Sequence, residues 1–224
     1  MNKKKIENLI LENYENEFSF KENKSNLNIE IINHKKNKGL GYSIKTGYHR
    51  AVEEEIDITV IMAGDNQMNP EYLPELIDPI VSGQADYSKG NRLTHAEYAI
   101  MPRFRRFGNS ILSLLTKVST GYWHVIDPQN GYTAISSNAL THVLKGKITN
   151  GYGYNSDILT NLNISNFRVI DVEIPPVYGE ADSGIKIGRY MIKTSWILLS
   201  GFFRRIHSKY GGLRFHPVLL YYYF

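Results

Sequence analysis

One stretch of the sequence, IDITVIMAGDNQMNP at residues 56–70, constrains the fold most strongly. It opens with a run of mostly apolar or β-branched residues, and this run leads directly into the polar segment GDNQ. A strand this apolar is typical of a parallel sheet that is covered by helices on both faces. Asn69 followed by Pro70 then predicts the start of a helix. The stretch therefore predicts a buried strand that ends on polar side chains just before a helix.

The neighbouring segments repeat this alternation of strand and helix. Strands are predicted over Asn28–His34 and in the segments IDITVIMA and ADYSKGNR. Helices are predicted in YSIKTGYHRAVEEE and in PEYLPELIDPIVSG, where Pro74 and Pro79 indicate a short or bent helix. This order of elements predicts an α/β fold with a parallel sheet and crossover helices.

Polar side chains follow two of these strands at the point where each strand ends. Asp65 and Gln67 follow the first, and Asn91 and Arg92 follow the second. In open α/β sheets the ligand crevice lies beyond the carboxyl ends of the strands. We therefore expect these side chains to line a binding edge.

The second half of the chain contains more helix and more positive charge. Helices are predicted in PRFRRFGNSILSLLTKVSTG, SNALTHVLKG, YNSDILTNLNISN and SGIKIGRYMIKTSWILLSGFFRRIHSKY. The segment YWHVIDPQNGYTAIS reads as a loop centred on Asp127 that leads into a short strand. The segment FRVIDVEIPPVYGE reads as a strand that two prolines end.

Composition narrows the classes of partner. The chain has a formal net charge of +4 and a pI of about 9.0, which favours an anionic partner such as a phosphate or a membrane surface. It contains no cysteine, which excludes a disulfide framework and a cysteine-ligated zinc site. No apolar run reaches the length that spans a bilayer.

Asp65 is a candidate metal ligand. A carboxylate at a strand end offers the hard oxygen ligands that Mg²⁺ or Mn²⁺ prefer, and such a cation would neutralise a diphosphate. The alternative is that Asp65 only caps the turn that follows. Both readings stay open on the sequence alone.

Arginines and a second carboxylate complete the set of candidate site residues. Arg92, Arg103, Arg105 and Arg106 carry guanidinium groups that bind phosphates bidentately, although a solvated face is the better explanation for any single one of them. Asp127 in IDPQNGY is placed to take a proton from an attacking oxygen, while Asp-Pro and Asn-Gly are also ordinary turn sequences.

The last long helix is basic and rich in aromatic residues. Between Gly184 and His216 there is no acidic residue, and Trp196, Phe202 and Phe203 lie among aliphatic side chains. A basic helix with such an apolar face is typical of a helix that lies on an anionic membrane. The alternatives are core packing and nucleic-acid binding. Nucleic acid is not expected, because the aromatic residues do not interleave with the basic ones.

Five segments in order resemble the family 2 (GT-A fold) glycosyltransferases, in particular the dolichol-phosphate mannosyltransferase-like, polyprenyl-phosphate branch. The segments are VIMAGDNQMNPEYLPELIDPI, ADYSKGNR, RRFGNSILSLLTK, IDPQNGYTAIS and VYGEADSGIK. The resemblance implies a partial GT-A (Rossmann-like), mostly parallel sheet with flanking helices and a C-terminal basic amphipathic helix. It implies transfer of a sugar from a UDP- or GDP-linked nucleotide-sugar to a polyprenyl-phosphate lipid, with Mg²⁺ or Mn²⁺, at the cytoplasmic face of the cell membrane.

The resemblance also implies roles for individual residues. Asp65 matches the second aspartate of the DxD motif, and Gln67 is the nearby amide ligand. Asp127 is the candidate base or acceptor-orienting carboxylate. Arg92, Arg103 and Arg106 are candidate phosphate contacts.

The sequence departs from the family pattern in ways that lead to further expectations. Ala63 stands where the first aspartate of the DxD motif is expected. The strands that bind the nucleoside are expected before residue 1, so we expect an incomplete domain, with a partner chain as one possible source of the missing N-terminal or transmembrane segments. We expect a truncated transferase domain over 1–180 and a membrane-proximal helix with the start of a transmembrane segment over 181–224. An inactive scaffold or binding subunit on the same fold is the main alternative, and a nucleic-acid binder is a further one.

Overall fold

The computed structural model describes residues 30–93, 103–175 and 187–211, without the side chains of 103–107, 109 and 187–193. Contacts divide the chain into Met1–Asn37 and Lys38–Phe224. Of the first unit only residues 30–37 are described. They form neither helix nor strand, so the strand predicted over Asn28–His34 is wrong at residues 30–34. The alternating apolar residues there bury no face of the chain, and a strand that buries no face gains little from its pattern.

The second unit alternates helices and strands along the chain. The helices are α1 (Leu40–Glu53), α2 (Leu73–Val81), α3 (Arg103–Thr120), α4 (Ser137–Lys145), α5 (Tyr154–Ile164) and α6 (Ile187–Tyr210). The strands are β1 (Ile58–Ile61), β2 (Tyr87–Asn91), β3 (Thr133–Ser136) and β4 (Val169–Glu173). Each matches a segment in which a helix or strand is predicted from the sequence.

The residues before α2 show how local chemistry starts that helix. Asn69 accepts a hydrogen bond from the backbone N–H of Glu71 at 3.0 Å, and Pro70 opens a 3₁₀ turn over Pro70–Tyr72 that continues into α2. The predicted cap at Asn69 is therefore confirmed. With Pro79 inside it, α2 is only nine residues long, as the two prolines predict.

The four strands form one sheet in the order β1-β3-β2-β4. β2 and β4 are parallel, and β3 runs antiparallel to both of its neighbours, β1 and β2. Three of the four strands therefore point the same way, in agreement with a mostly parallel sheet. The sequence did not indicate that β3 lies between β1 and β2.

Helices cover both faces of this sheet. On one face Tyr87 and Ile135 pack with residues of α1, α4 and α5 in the larger of two apolar clusters. On the other face Ala134 and Val172 pack with Leu76 of α2. Because side chains alternate along a strand, Lys89 lies on the same face as Tyr87, above the larger cluster.

Hydrogen bonds connect helix α6 to α3, and an ion pair connects it to α5. The hydroxyl of Ser119 donates to the Leu198 carbonyl at 2.6 Å, and Arg205 Nε donates to the Ser119 carbonyl at 2.9 Å. Arg204 Nη2 donates to Asp157 Oδ1 at 2.9 Å. The described part of α6 thus packs partly on the protein, as the core-packing alternative requires. Nothing in these contacts tests a domain boundary at residue 180, which stays a prediction.

Apolar side chains are also exposed on the surfaces of α6 and α3. Trp196 is 71% exposed, and Leu199 and Phe203 of α6 are exposed too, as are Leu114 and Leu115 of α3. Among the described residues, no helix combines the length and apolar character needed to cross a bilayer.

Candidate active site at one edge of the sheet

Three chain segments that carry candidate site residues meet at one edge of the sheet. β1 pairs with β3 so that Ile61, its last residue, lies opposite Thr133, the first residue of β3. Asn91 at the end of β2 lies opposite Glu173 at the end of β4. This edge therefore carries the loop after β1, the end of β2 and the loop before β3. These are the segments in which the sequence places Asp65, Gln67, Arg92 and Asp127.

The loop after β1 is a tight, exposed turn. Asp65 Oδ1 accepts a hydrogen bond from the backbone N–H of Gln67 at 3.1 Å, and Asn66 between them has a φ of 59°. Asp65 therefore caps the turn, which is the structural alternative to metal binding. Capping does not exclude a metal, because a carboxylate has lone pairs beyond the one that this hydrogen bond uses. Its role as a ligand stays a prediction.

Asp127 is buried at 2% exposure and is paired with Arg92. Arg92 Nε donates to Asp127 Oδ2 at 2.8 Å, and Nη2 donates to Oδ1 at 3.3 Å. The backbone N–H of Arg92 also points at Oδ2, at 3.3 Å. Both carboxylate oxygens therefore face one guanidinium group. This arrangement fixes the orientation of Arg92, whose side chain is 39% exposed at the sheet edge.

The two loops contact each other. The hydroxyl of Tyr132 donates to the Asn69 carbonyl at 3.2 Å. A methyl group added to Gly131 would lie 3.3 Å from the Cε of Met68. Asp65 and Asp127 are thus on loops that adjoin at the same edge, rather than on opposite faces. Because β3 separates β1 from β2, these two strands lie about 10 Å apart.

For the Arg-rich helix, the structure tests the position of the helix but not the contacts of its arginines. α3 spans Arg103–Thr120, within the segment PRFRRFGNSILSLLTKVSTG in which this helix is predicted. The side chains of Arg103, Arg105 and Arg106 lie outside the described set, so their predicted phosphate contacts stay predictions.

An open groove of about 300 Å³ adjoins the site. Its lining includes Leu93 and Ile126, the sequence neighbours of Arg92 and Asp127. Leu114 and Lys117 of α3 line it as well. Among the described residues, three apolar side chains line the groove together with Ser110, Ser113 and Lys117, and most of its exposed surface is apolar. The groove extends from the Arg92–Asp127 pair along α3.

A buried lysine below the pair was missed by the sequence reasoning. Lys89 is fully buried, and its Nζ donates to the Asn130 carbonyl. Burial lowers the pKa of Lys89 to about 8, against the opposing effect of the Asp127 and Asp171 carboxylates. A lysine in the middle of a strand that is otherwise buried, YSKGN, is the signal that could have revealed it.

Asp171 and Asn130 were also missed. Asp171 Oδ2 accepts a hydrogen bond from the Ile126 N–H at 2.6 Å. Burial raises the pKa of Asp171, and both the Ile126 N–H and the charge of Lys89 oppose this rise. Asn130 Nδ2 donates to the Gly90 carbonyl at 2.8 Å. These contacts hold the loop before β3 against β2 and β4.

Comparison with known proteins identifies the family. The family model described as "Glycosyl transferase family 2" matches residues 9–143, which is more than half of the chain. The chain belongs to glycosyltransferase family 2. Its mixed α/β architecture is that of the GT-A glycosyltransferases, as the motif resemblance implies.

Two curated relatives of this family-2 chain are similar to it in sequence. A UDP-N-acetylglucosamine–dolichyl-phosphate N-acetylglucosaminyltransferase of Methanococcus voltae is 31% identical over 66% of the chain and 59% of that relative. An uncharacterised protein of Methanocaldococcus jannaschii is 26% identical over 67% of the chain and 62% of that protein. The chain thus spans about three fifths of the length of each relative.

Solved structures support the fold of this family-2 chain. Glucosyl-3-phosphoglycerate synthase from Mycobacterium tuberculosis, in complex with Mn²⁺, UDP and glucosyl-3-phosphoglycerate, superposes with a TM-score of 0.54 at 19% identity. The superposition covers 73% of this chain and 55% of the synthase. The same synthase with phosphoglyceric acid gives a TM-score of 0.53 at 20% identity. At this identity the likeness establishes the fold alone.

Proposed function

We propose that this chain is a glycosyltransferase domain that moves a sugar from a UDP- or GDP-linked nucleotide-sugar to a polyprenyl-phosphate lipid. The observation that carries the proposal is the oriented guanidinium of Arg92, which Asp127 holds at a sheet edge beside an apolar groove. Within this family, the relative from Methanococcus voltae is named for a UDP-linked donor and a dolichyl-phosphate acceptor.

Arg92 is the proposed contact for the donor diphosphate. A guanidinium whose one side is held by a carboxylate keeps its position when an anion approaches, so little conformational entropy is lost on binding. Asp127 is then a positioning residue. This fits the proposed acceptor, because a lipid phosphate is already ionised near neutral pH and can attack without a general base.

Asp65 and Gln67 are the residues that would hold Mg²⁺ or Mn²⁺. They offer one exposed carboxylate and one amide oxygen, and Ala63 removes a second carboxylate. The described residues contain no group of three acidic or histidine side chains that could hold a metal. Mg²⁺ in phosphate-transfer sites is often bound by one or two carboxylates together with substrate phosphates, so this sparse set fits an ion shared with the donor. When bound, the cation would neutralise charge on the leaving diphosphate.

In the proposed reaction a phosphate oxygen of the lipid attacks the anomeric carbon of the sugar. The bond between that carbon and the donor diphosphate breaks, and the nucleoside diphosphate leaves with the bonding electron pair. Arg92 stabilises the negative charge that develops on the leaving oxygen. The apolar groove beside Arg92 and Leu93 supports the placement of the first isoprenoid unit next to the acceptor phosphate.

The proposed location is the cytoplasmic face of the cell membrane. The support is chemical: α6 carries basic residues and no acidic ones, and Trp196, Leu199 and Phe203 expose apolar surface. Co-sedimentation with vesicles containing anionic lipid tests the contact with a membrane surface, with Trp196→Glu as the variant. Weaker sedimentation of that variant supports this contact through α6, and equal sedimentation contradicts it.

The central experiment is transfer of labelled sugar into an organic-extractable lipid. The purified chain is incubated with polyprenyl phosphate, Mn²⁺ and either UDP-N-acetylglucosamine or a GDP-linked sugar. Label in the lipid phase that EDTA abolishes supports the proposal. Arg92→Ala should lower the yield. Arg168→Ala should not, because Arg168 lies before β4 at the other end of the sheet and is 60% exposed.

A second candidate function is a binding domain of the same fold without transferase activity. Ala63 favours it, because the metal site has fewer ligands than the family motif provides. Calorimetric binding of nucleotide-sugar without any sugar transfer would select this function. Absence of both binding and transfer would contradict both candidates.

A further inference from the structure

A buried lysine on a short strand requires a physical explanation. Lys89 is 0% exposed and lies on the face of the sheet that packs against the larger apolar cluster. Burying an ammonium group is costly unless partners compensate it, and such groups are often retained because they specify one arrangement of the chain. The partners of Lys89 should therefore reveal what is being fixed.

The partners of Lys89 either lie in the loop that carries Asp127 or bind to it. Its Nζ donates to the carbonyl of Asn130, at one end of this loop. Asp171 is its register partner on β4 and accepts the N–H of Ile126, at the other end. The segment 126–130 is thus held at both ends by two side chains that face each other across neighbouring strands.

The charges of this cluster balance. Lys89 and Arg92 are positive, Asp127 and Asp171 are negative, and the other three groups all interact electrostatically with Lys89. Asp171 Oδ1 is buried and accepts no hydrogen bond within the described part of the chain. The Ile126 N–H and the ammonium of Lys89 both offset this buried negative charge. His124 is a further titratable group that faces Asp171.

We propose that Lys89 is a positioning residue, which fixes the 126–130 loop so that Asp127 presents Arg92 to an anionic ligand. The proposal deepens the proposed function and rests on it only for the identity of the ligand. It adds that loss of the Lys89 charge leaves the cluster with a net charge of −1, which repels an anion at Arg92. Anion affinity should then depend on whether Lys89 is protonated.

The test measures sulfate binding to the full chain by following the carbon-detected Nε–Cζ signal of Arg92. Sulfate is the probe because it remains a dianion throughout the range. The pKa of Lys89 is about 8, so titrations at about pH 7 and about pH 9.5 compare its charged and neutral forms. Wild-type affinity should fall roughly five-fold over this range, from a unit charge acting across several ångströms. In Lys89→Met the fall should be absent.

Ser88→Ala is the matched control. Ser88 is the neighbouring residue on β2, is equally buried, and its hydroxyl donates to the Leu76 carbonyl on the opposite face of the sheet. Its loss should lower stability and leave both the Arg92 signal and the pH dependence unchanged. Equal changes in the two variants would overturn the proposal, since any buried defect would then explain them. Persistence of the wild-type pH dependence in Lys89→Met would also overturn it.

A second experiment, on the wild type alone, tests the coupling if the variant cannot be used. Should Lys89→Met fail to fold, the wild-type Cε shift of Lys89 and the Arg92 signal are titrated together without sulfate. A common midpoint near pH 8 supports the coupling, and separate midpoints contradict it. Because this reading uses no donor sugar, a negative transferase assay leaves it intact, and the two proposals can fail independently.

Discussion

Replacing Asp127 by asparagine separates its two candidate roles, base and positioning residue. The carboxylate is 2% exposed and accepts three hydrogen bonds from Arg92, at 2.8, 3.3 and 3.3 Å. The amide is nearly isosteric but has no charge and only one acceptor oxygen. The guanidinium therefore loses its countercharge and one of its two oxygen partners, while the loop keeps its shape.

The size of the effect follows from these contacts. A hydrogen bond to a charged group contributes about 1.5–3 kcal/mol, and the partial exposure of Arg92 favours the lower part of that range. We expect Asp127→Asn to lower the free energy of unfolding by about 2 kcal/mol, which shifts the melting temperature by roughly 4–8 °C. If Arg92 then points away from the site, pyrophosphate affinity should fall about ten-fold or more.

The chain offers a matched control at the other end of β2. Asp86 accepts the backbone N–H and the Nε of Arg168, at 2.8 and 3.3 Å, as Asp127 accepts the same two groups of Arg92. Asp86 is 23% exposed and Arg168 60%, so Asp86→Asn should cost no more than about 1 kcal/mol. It should not change pyrophosphate binding. Calorimetric titration and thermal unfolding of both variants provide the comparison.

One result would refute the positioning role. If Asp127→Asn binds pyrophosphate as tightly as the wild type but loses sugar transfer, Asp127 acts on protons rather than on Arg92. The interpretation as a general base would then replace it.

The remaining predictions concern stability. Burial lowers the pKa of Lys89 to about 8 from an ordinary 10.5. Between about pH 8 and pH 10.5 Lys89 is therefore protonated in the unfolded chain and neutral in the folded one. Because the unfolded state binds more protons there, the free energy of unfolding should rise with pH in this window, by up to about 3 kcal/mol. Lys89→Met should remove this rise in urea titrations, and a slope that is retained would contradict the assignment. Arg204→Ala should lower the free energy of unfolding by about 3 kcal/mol in the same urea titrations, because it leaves Asp157, whose side chain is 4% exposed, without its countercharge. A loss below about 1 kcal/mol would mean that this ion pair does not stabilise the packing of α6. Gly41→Ala should destabilise, because its methyl group would meet the Thr149 carbonyl, whereas Gly47→Ala in the same helix meets nothing and should stabilise by about 0.5–1 kcal/mol; equal thermal shifts would refute this packing.

Local signals were sufficient for most of the secondary structure. The apolar run before GDNQ predicts β1, and Asn69 with Pro70 predicts the helix start that follows. These features depend on interactions between residues that are close in sequence, so they can be predicted from the sequence alone. The failed strand at residues 30–34 shows the limit, because an alternating pattern forms a strand only where the fold supplies a partner and a buried face.

The candidate site was predictable in part. The rule that ligands bind beyond the carboxyl ends of strands placed Asp65, Gln67, Asn91 and Arg92 at one edge, and the fold has that edge. Asp127 was singled out separately, and it reaches the same edge because β3 runs antiparallel to its neighbours. The rule does not say which side chains pair. The role of Asp127 changed most, because the sequence could not indicate that both of its oxygens face Arg92.

By itself the sequence determined the family, the order of helices and strands, and the edge at which polar side chains gather. Only the tertiary structure decided that β3 inserts between β1 and β2, and that Lys89 and Asp171 lie opposite each other beneath the Asp127 loop. The physical reason is that strand pairing joins residues far apart in sequence: Lys89 and Asp171, which pair between β2 and β4, are 82 positions apart. Burial and charge pairing depend on those distant neighbours, and no local pattern records them.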